Sequence, residues 1–326
     1  MRGTPLAALA PPLLLAGCAA WPGALDPAAR GDAVPASPSP APVGEDARTL
    51  RVASLNVAFV RLPEGRARWE GRREALAAAV RALDADLIAL QEAETRMPDG
   101  PRRPSLQLEW LLARLPGYAA AATARNGRLP GVQPILYRRA RLTVLEEDGF
   151  PFPATPPPPA REGVVPPPKE PPAFATLVRF AVRGADMELT ALNVHLDLGS
   201  PINRIDAGEL IAARVAPLVE RGEPVVVLGD FNDVRGAPPL RRLAALGLKG
   251  GDVLRPTFHF GLGLGVTPAI DHILASPALE RIGRARVHAR RHGGRFGSDH
   301  HPIWATYRLR EGDPPPATGG FVARPR

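Results

Sequence analysis

Cysteine occurs once in the 326 residues, at Cys18, so no disulfide can form within the chain and a structural metal site built on several thiolates is excluded. Lysine is almost as scarce, with Lys169 and Lys249 alone, so the formal net charge of +8 rests on arginine. Aromatic residues make up 5%, which leaves little material for the stacking platforms that bind single-stranded nucleic acid. No apolar run approaches the ~20 residues that cross a hydrocarbon core. The nearest candidate, residues 6–15, is short and is broken by Pro11 and Pro12. No internal repeat is apparent.

Proline is plentiful, at 40 residues, and its placement organises the chain. Residues 1–17 read as a short secretory signal, a basic start followed by an apolar stretch. Its end, Leu15-Ala16-Gly17-Cys18, resembles a bacterial lipoprotein processing site, which implies that Cys18 is lipidated and anchors the chain to a membrane. Ala19 beside it leans toward the outer membrane of the cell envelope. Residues 18–47 are Pro, Ala, Ser and Gly with scarcely a large apolar side chain, and cannot repay ordering entropy by burial; a tether is expected there. Residues 151–172 form a second proline-rich stretch, read as a long surface loop, and residues 311–326 a disordered tail. The remaining 48–310 can bury one sizeable core and need not divide.

Within 48–310, apolar runs at 50–55, 86–90, 187–192 and 224–228 read as buried strands. Further strands are expected at 133–137, 141–146 and 174–182. Trp69, Leu76, Val80 and Leu83 share one helical face, with Arg72, Arg73, Glu74 and Arg81 largely off it. Pro104-Ser105 opens a second helix toward Leu115, and Ser200-Pro201 a third toward Val219. This mixture of helices with closely spaced strands predicts α/β layers with mixed sheets.

A polar residue follows each strand: Asn56 in Leu-Asn-Val, Glu92 in Leu-Gln-Glu, Asn193 and His195 in Asn-Val-His-Leu, Asp230 and Asn232 in Gly-Asp-Phe-Asn. Two late motifs join them, Ile-Asp-His with Asp271 and Ser-Asp-His with Asp299 and His300. One such residue is ordinary turn chemistry; six in this order resemble the endonuclease/exonuclease/phosphatase superfamily, which includes the deoxyribonuclease I-like enzymes. The resemblance spans about residues 49–309. It implies a four-layer α/β sandwich, two mixed β-sheets packed face to face with helices outside, and a metal-dependent hydrolase of phosphoric ester bonds.

The resemblance also implies roles. Glu92, with Asn56 and Asp299, would hold Mg²⁺, or Mn²⁺, through hard oxygen donors. Asp230 would orient and deprotonate the attacking water, with Asn232 donating to a phosphate oxygen or fixing that carboxylate. His300, partnered by Asp271, and His195 would contact phosphate or leaving group. Asn193 and Arg204 would support substrate binding, Arg204 by tying its helix to the site. Either Gln133 or Asp197 would orient His195. His259, His272, His288, His292 and His301 lack such motifs, and a lone histidine is more often structural than catalytic.

Two substrate classes fit. Arg281, Arg284, Arg286, Arg290, Arg291 and Arg295 lead directly into Asp299-His300, which favours nucleic acid and a surface-anchored, monomeric endonuclease or exonuclease. An arginine-rich composition bias explains the same charge. The second class is a sphingomyelinase-like or inositol-phosphate-phosphatase-like lipid or sugar phosphoesterase.

Overall fold

The computed structural model describes residues 46–96, 105–123, 131–152 and 173–310, all within the compact unit Gly44–Arg326. The signal and lipidation at 1–18, most of the tether, the bulk of the proline-rich loop and the tail at 311–326 lie outside the described residues.

In chain order the elements are β1 (Thr49–Asn56), β2 (Val60–Arg61), α1 (Arg66–Leu83), β3 (Leu87–Gln91), β4 (Thr95–Arg96) and α2 (Leu106–Arg114). There follow β5 (Tyr118–Ala121), β6 (Ile135–Arg138), β7 (Leu142–Pro151), β8 (Phe174–Val182), β9 (Met187–His195) and α3 (Pro201–Glu220). The last are β10 (Val225–Asp230), α4 (Pro238–Ala245), β11 (Lys249–Gly250), β12 (Asp271–Ala275), β13 (Leu279–Val287) and β14 (Ile303–Leu309).

Both serine-led helix starts are as read: Ser105 Oγ accepts from Leu108 N–H and Ser200 Oγ from Asn203 N–H, each satisfying a donor that the first turn leaves free. The largest difference in an expected boundary is at β7. β7 continues to Pro151 rather than ending near Glu146, because it pairs with β8 along its whole length. Phe152 beyond it is buried in edge contact with Phe150. Residues 151 and 152, read as the start of the loop, therefore belong to the packed fold.

The strands form two six-stranded sheets, ordered β13-β14-β1-β3-β6-β5 and β11-β12-β10-β9-β8-β7, with β2 and β4 as a separate pair. Each six-stranded sheet has one parallel pair at its centre, β1/β3 and β9/β10, flanked by antiparallel neighbours. A helix joins each parallel pair, α1 in one sheet and α3 in the other, as parallel crossovers require. The two halves thus share one topology with no repeat in sequence.

Alternation along the strands builds the layers. Leu50 and Val52, Leu87 and Ala89, Val226 and Leu228 face between the sheets with Phe180, Leu189 and Ala191. The intervening Ala53, Leu55, Ile88 and Leu90 pack against α1 and α2. Val225, Val227, Leu192 and Val194 pack against α3 and α4. Central strands apolar on both faces are what a sheet covered on both sides demands. Each wholly buried Val or Leu there stabilises the fold by ~1.5–3 kcal/mol relative to exposure. Helix, sheet, sheet, helix is the expected four-layer α/β sandwich.

Candidate active site

The strand period of two decides where the site lies. Residues 50, 52, 54 and 56 of β1 share the inter-sheet face, as do 189, 191, 193 and 195 of β9, 226, 228 and 230 of β10, and 271, 273 and 275 of β12. In β1, β9 and β10 the first members are apolar and the last polar; β12 runs antiparallel, so its polar first member, Asp271, reaches the same edge. Register confirms the common edge: Asp230 sits opposite both His195 and Asp271, and Asn56 opposite Gln91.

Just below the edge lies a layer of uncharged polar groups. Gln91 Nε2 donates to Asn193 Oδ1 at 2.7 Å and Ser54 Oγ at 3.2 Å. Asn193 Nδ2 donates to the carbonyls of Leu90, Gln133 and Pro134 at 2.8, 3.1 and 3.3 Å. Asn193 is fully buried and fastens one sheet to the other. This departs from the substrate-binding role that the resemblance implies: two residues along the strand from His195, Asn193 lies one step deeper in the core. Gln133 is corrected as well. Its amide donates to the carbonyls of Phe174 and Asn193, so it belongs to this layer rather than to His195.

Above that layer the charged groups converge. Asn56 Nδ2 donates to Glu92 Oε1 at 3.0 Å and to Asp230 Oδ2 at 3.1 Å, while its Oδ1 accepts from Ala58 N–H at 2.9 Å. Two carboxylate acceptors on one side and a fixed donor on the other leave a single orientation for the amide. Asn56 therefore aligns the two acids, and its oxygen caps the turn. Glu92, at φ 55, leaves β3 in the left-handed region, and its Oε2 accepts from Phe59 N–H at 3.0 Å. Burial pushes its acidity down, but His195, Asn56 and the Phe59 amide outweigh that and hold the carboxyl below its ordinary pKa.

Asp230 is buried, with Oδ1 accepting from Asn232 N–H at 2.8 Å. Its Oδ2 has His195 Nε2 at 3.7 Å and His300 Nε2 at 3.8 Å. Burial and then the charge of Asp271 raise its pKa, only partly opposed by the two imidazoles. His300 Nδ1 meets Asp271 Oδ2 at 2.9 Å. Burial disfavours its charged form, yet Asp271, Asp230 and Asp299 together lift its pKa to about 10. His300 is therefore an imidazolium at neutral pH, and Asp271 is kept ionised, its pKa lowered by that cation against the pull of burial. The Asp271 Oδ1 atom is buried with no partner among the described residues.

Three further residues hold supporting positions. Asn232, at φ 47, donates its side chain to Leu196 O at 2.8 Å, so of its two expected roles the one seen is fixing Asp230 through its backbone. Arg204 donates to Asp233 Oδ2 at 3.1 Å and to the carbonyls of Asp197 and Leu198, tying α3 to the loops after β9 and β10. Asp299 is partly exposed, accepts from Ser298 Oγ at 3.2 Å and holds His259 N–H on its carbonyl.

Arg72 was not legible. Read as lying off the apolar face of α1, it is buried and donates to the carbonyls of Val57 at 2.7 Å, Gly297 at 2.6 Å and Ala58 at 2.5 Å. Desolvation draws its pKa down to about 10, opposed by attraction to Asp299 and Glu92. One guanidinium thus clamps the segment after Asn56 to the segment before Asp299. Ser298 adds a second tie, donating to Asn56 O at 2.6 Å.

Two glycines permit the close approaches. At Gly229 (φ 151) an added Cβ would lie 1.9 Å from Val194 O, and at Gly297 one would lie 2.4 Å from Leu76 Cα. No side chain fits either place.

Glu92 offers an ionised carboxylate that is 22% exposed, the hard donor that Mg²⁺ or Mn²⁺ selects, and Asp299 lies within electrostatic reach of the same Arg72. Asp230, Asp271 and His300 also bring ligand-type atoms within 4.8 Å of one another. A cation there would need His300 Nε2 deprotonated, which the raised His300 pKa opposes, so the Glu92 side fits a hard metal better.

A model of the Endonuclease/Exonuclease/phosphatase family matches residues 53–300. Among curated proteins none matches the sequence. A solved structure described as an endonuclease/exonuclease/phosphatase family protein from Bacteroides thetaiotaomicron superposes with TM-score 0.64 at 23% identity, over 81% of this chain and 98% of its own. The mannosyl-6-phosphatase of Bacteroides thetaiotaomicron VPI-5482 gives 0.64 at 24%, over 78% and 98%. A humanized D. rerio TDP2 gives 0.57 at 17%, over 80% and 100%.

Proposed function

Since the chain belongs to the endonuclease/exonuclease/phosphatase family, we propose that its polar edge hydrolyses a phosphoric ester by attack of water, with Mg²⁺, or Mn²⁺, bound at Glu92 and Asp299. The observation that carries the reading is the pairing at the edge of a raised-pKa carboxylate, Asp230, with an imidazolium, His300, whose proton is secured by Asp271.

Asp230, made more basic by burial and by Asp271, accepts a proton from water at Oδ2. Asn56 and the Asn232 amide fix that carboxylate, so the water meets one orientation. His300 Nε2 presents positive charge to the phosphoryl oxygens, where negative charge grows in the transition state. His195 Nε2, beside both Glu92 and Asp230, faces the same space and serves the phosphate or the leaving oxygen. A divalent metal on Glu92 would add Lewis-acid neutralisation of phosphoryl charge.

For the substrate, the arginines before Asp299 support a polynucleotide less than their number suggested. Arg281 is paired with Asp252 at 2.6 Å, Arg286 lies over Trp304, and Arg291 lies over Phe296 while donating to Leu262 O. A compact phosphoester, on a sugar or a lipid headgroup, is therefore the finer reading. Likeness to a structure named as a mannosyl-6-phosphatase points the same way. Nucleic acid is a second reading, carried by Arg284, Arg290 and Arg295, which are exposed.

The test is hydrolysis with Mg²⁺ of sugar phosphates, inositol phosphates, sphingomyelin and plasmid DNA, beside Asp230→Asn and His300→Gln. Each substitution is expected to lower kcat by at least roughly a hundredfold, the scale of a lost general base or charge stabiliser. Activity indifferent to both substitutions and to EDTA would overturn the reading. Within the same framework, acylation of Cys18 would hold the enzyme on the cell envelope, and Cys18→Ser is expected to release it from membranes.

A further inference from the structure

The segment between β11 and β12 enters the site edge and leaves it uncharged. From Val253 to Ile270 it contains no acidic residue, one arginine, Arg255, and one histidine, His259. It reaches the site through Phe258, whose ring centroid lies 5.0 Å from that of His300, and through His259, whose N–H donates to Asp299 O. Beyond Phe258 it turns outward as Phe260-Gly-Leu-Gly-Leu-Gly-Val266, with Phe260, Leu262, Leu264 and Val266 all exposed, Val266 by 70%. Across the edge, the loop that follows His195 exposes Leu198 by 79% and the start of α3 exposes Ile202 by 72%.

Large aliphatic side chains exposed on loops that leave the edge of a site mark a surface that something apolar covers. Two observations identify the cover. Gly261 and Gly263 alternate with the leucines at positive φ, so the turn sets bare backbone between separate aliphatic tips, which suits insertion among lipid heads better than the continuous apolar core of a protein interface. The flanks are basic: Arg68 lies beside Gly261, and Arg68 and Arg255 are exposed with no ion pair among the described residues. Apolar tips ringed by arginine complement an anionic lipid interface, chains below and phosphate heads above.

We propose that this rim docks the catalytic mouth onto an anionic phospholipid surface, so that the phosphoester hydrolysed is one displayed at a membrane. The substrate half rests on the phosphoesterase reading; the docking half does not. The test uses the full chain carrying Cys18→Ser, so that no acyl chain contributes, with EDTA present and sedimentation with phosphatidylglycerol or phosphatidylcholine vesicles as readout.

The parent is expected to bind phosphatidylglycerol and to weaken with salt. Leu262→Ser/Leu264→Ser/Val266→Ser should bind about tenfold more weakly, as loss of several interfacial aliphatic contacts implies, yet hydrolyse soluble bis(p-nitrophenyl) phosphate at the parental rate. Arg68→Glu/Arg255→Glu should lose the preference for phosphatidylglycerol. If the triple variant melts early, Val266→Ser alone is measured. Parent protein that ignores phosphatidylglycerol, a serine variant that binds as well as the parent, or a loss confined to DNA-duplex binding overturns the docking. Asp230→Asn separates the two ideas: it should keep vesicle binding while losing hydrolysis, and if it hydrolyses normally only the phosphoesterase reading fails.

Discussion

Asp271→Asn removes the largest attraction holding a proton on His300 while keeping the shape of the side chain and, through Oδ1, an acceptor for Nδ1–H. Burial is the main force against the imidazolium, and Asp230 and Asp299 remain to oppose it. The His300 pKa, now about 10, is expected to fall by at least about two units, on the order of 3 kcal/mol between the two protonation states. At pH 9 the cationic fraction would then drop from about nine-tenths to about one-tenth, a tenfold loss of active enzyme. The assay is kcat/KM from pH 6 to 10.5, with imidazole nitrogen shifts read in parallel by NMR. The alkaline limb should move from near 10 toward 8, while activity at pH 6 changes little. Stability carries the same sign. A histidine whose folded pKa exceeds its unfolded value near 6.5 stabilises fully below that value, and the contribution is lost as pH rises through the folded pKa. The parent should therefore lose melting temperature between pH 6.5 and 10 more steeply than the variant. An alkaline limb that stays near 10 in Asp271→Asn would refute the assignment of His300 as the cation.

Three other substitutions probe the supports. Arg72→Met orphans the carbonyls of Val57, Ala58 and Gly297 and should cost at least about 3 kcal/mol in urea unfolding; a neutral result would mean that water replaces the guanidinium. Asn56→Asp sets a third carboxylate against Glu92 and Asp230 and should lower kcat roughly a hundredfold at pH 7, which steady-state kinetics checks. Asn193→Leu should destabilise by about 2–4 kcal/mol and leave KM within error, whereas a raised KM would restore it to the substrate.

The strand ends and their polar residues were legible because each signal is local: an apolar run, then a residue that chain geometry must present at an edge. Asp230, Asp271, His195, His300, Glu92 and Asn56 do converge there. Depth was not legible. Asn193 and His195 share a strand face and differ only in how far they lie from the rim, which depends on the facing sheet. Helical periodicity likewise assigns Arg72 to solvent, because hydropathy cannot register that three carbonyls from distant loops await a donor. The common topology of the two sheets has no counterpart in sequence, since backbone pairing repeats there and side chains do not.

The placement of β14 has a consequence for synthesis. It pairs with β1, so the first of the described strands keeps an open flank until the last of them has been made. His300, three residues before β14, arrives equally late to meet Asp271 and Asp230. A nascent chain thus cannot assemble its cationic group in advance, and contacts so distant in sequence are slow to close. His300 can thus meet its two carboxylates only after the described strands up to β13 have been made.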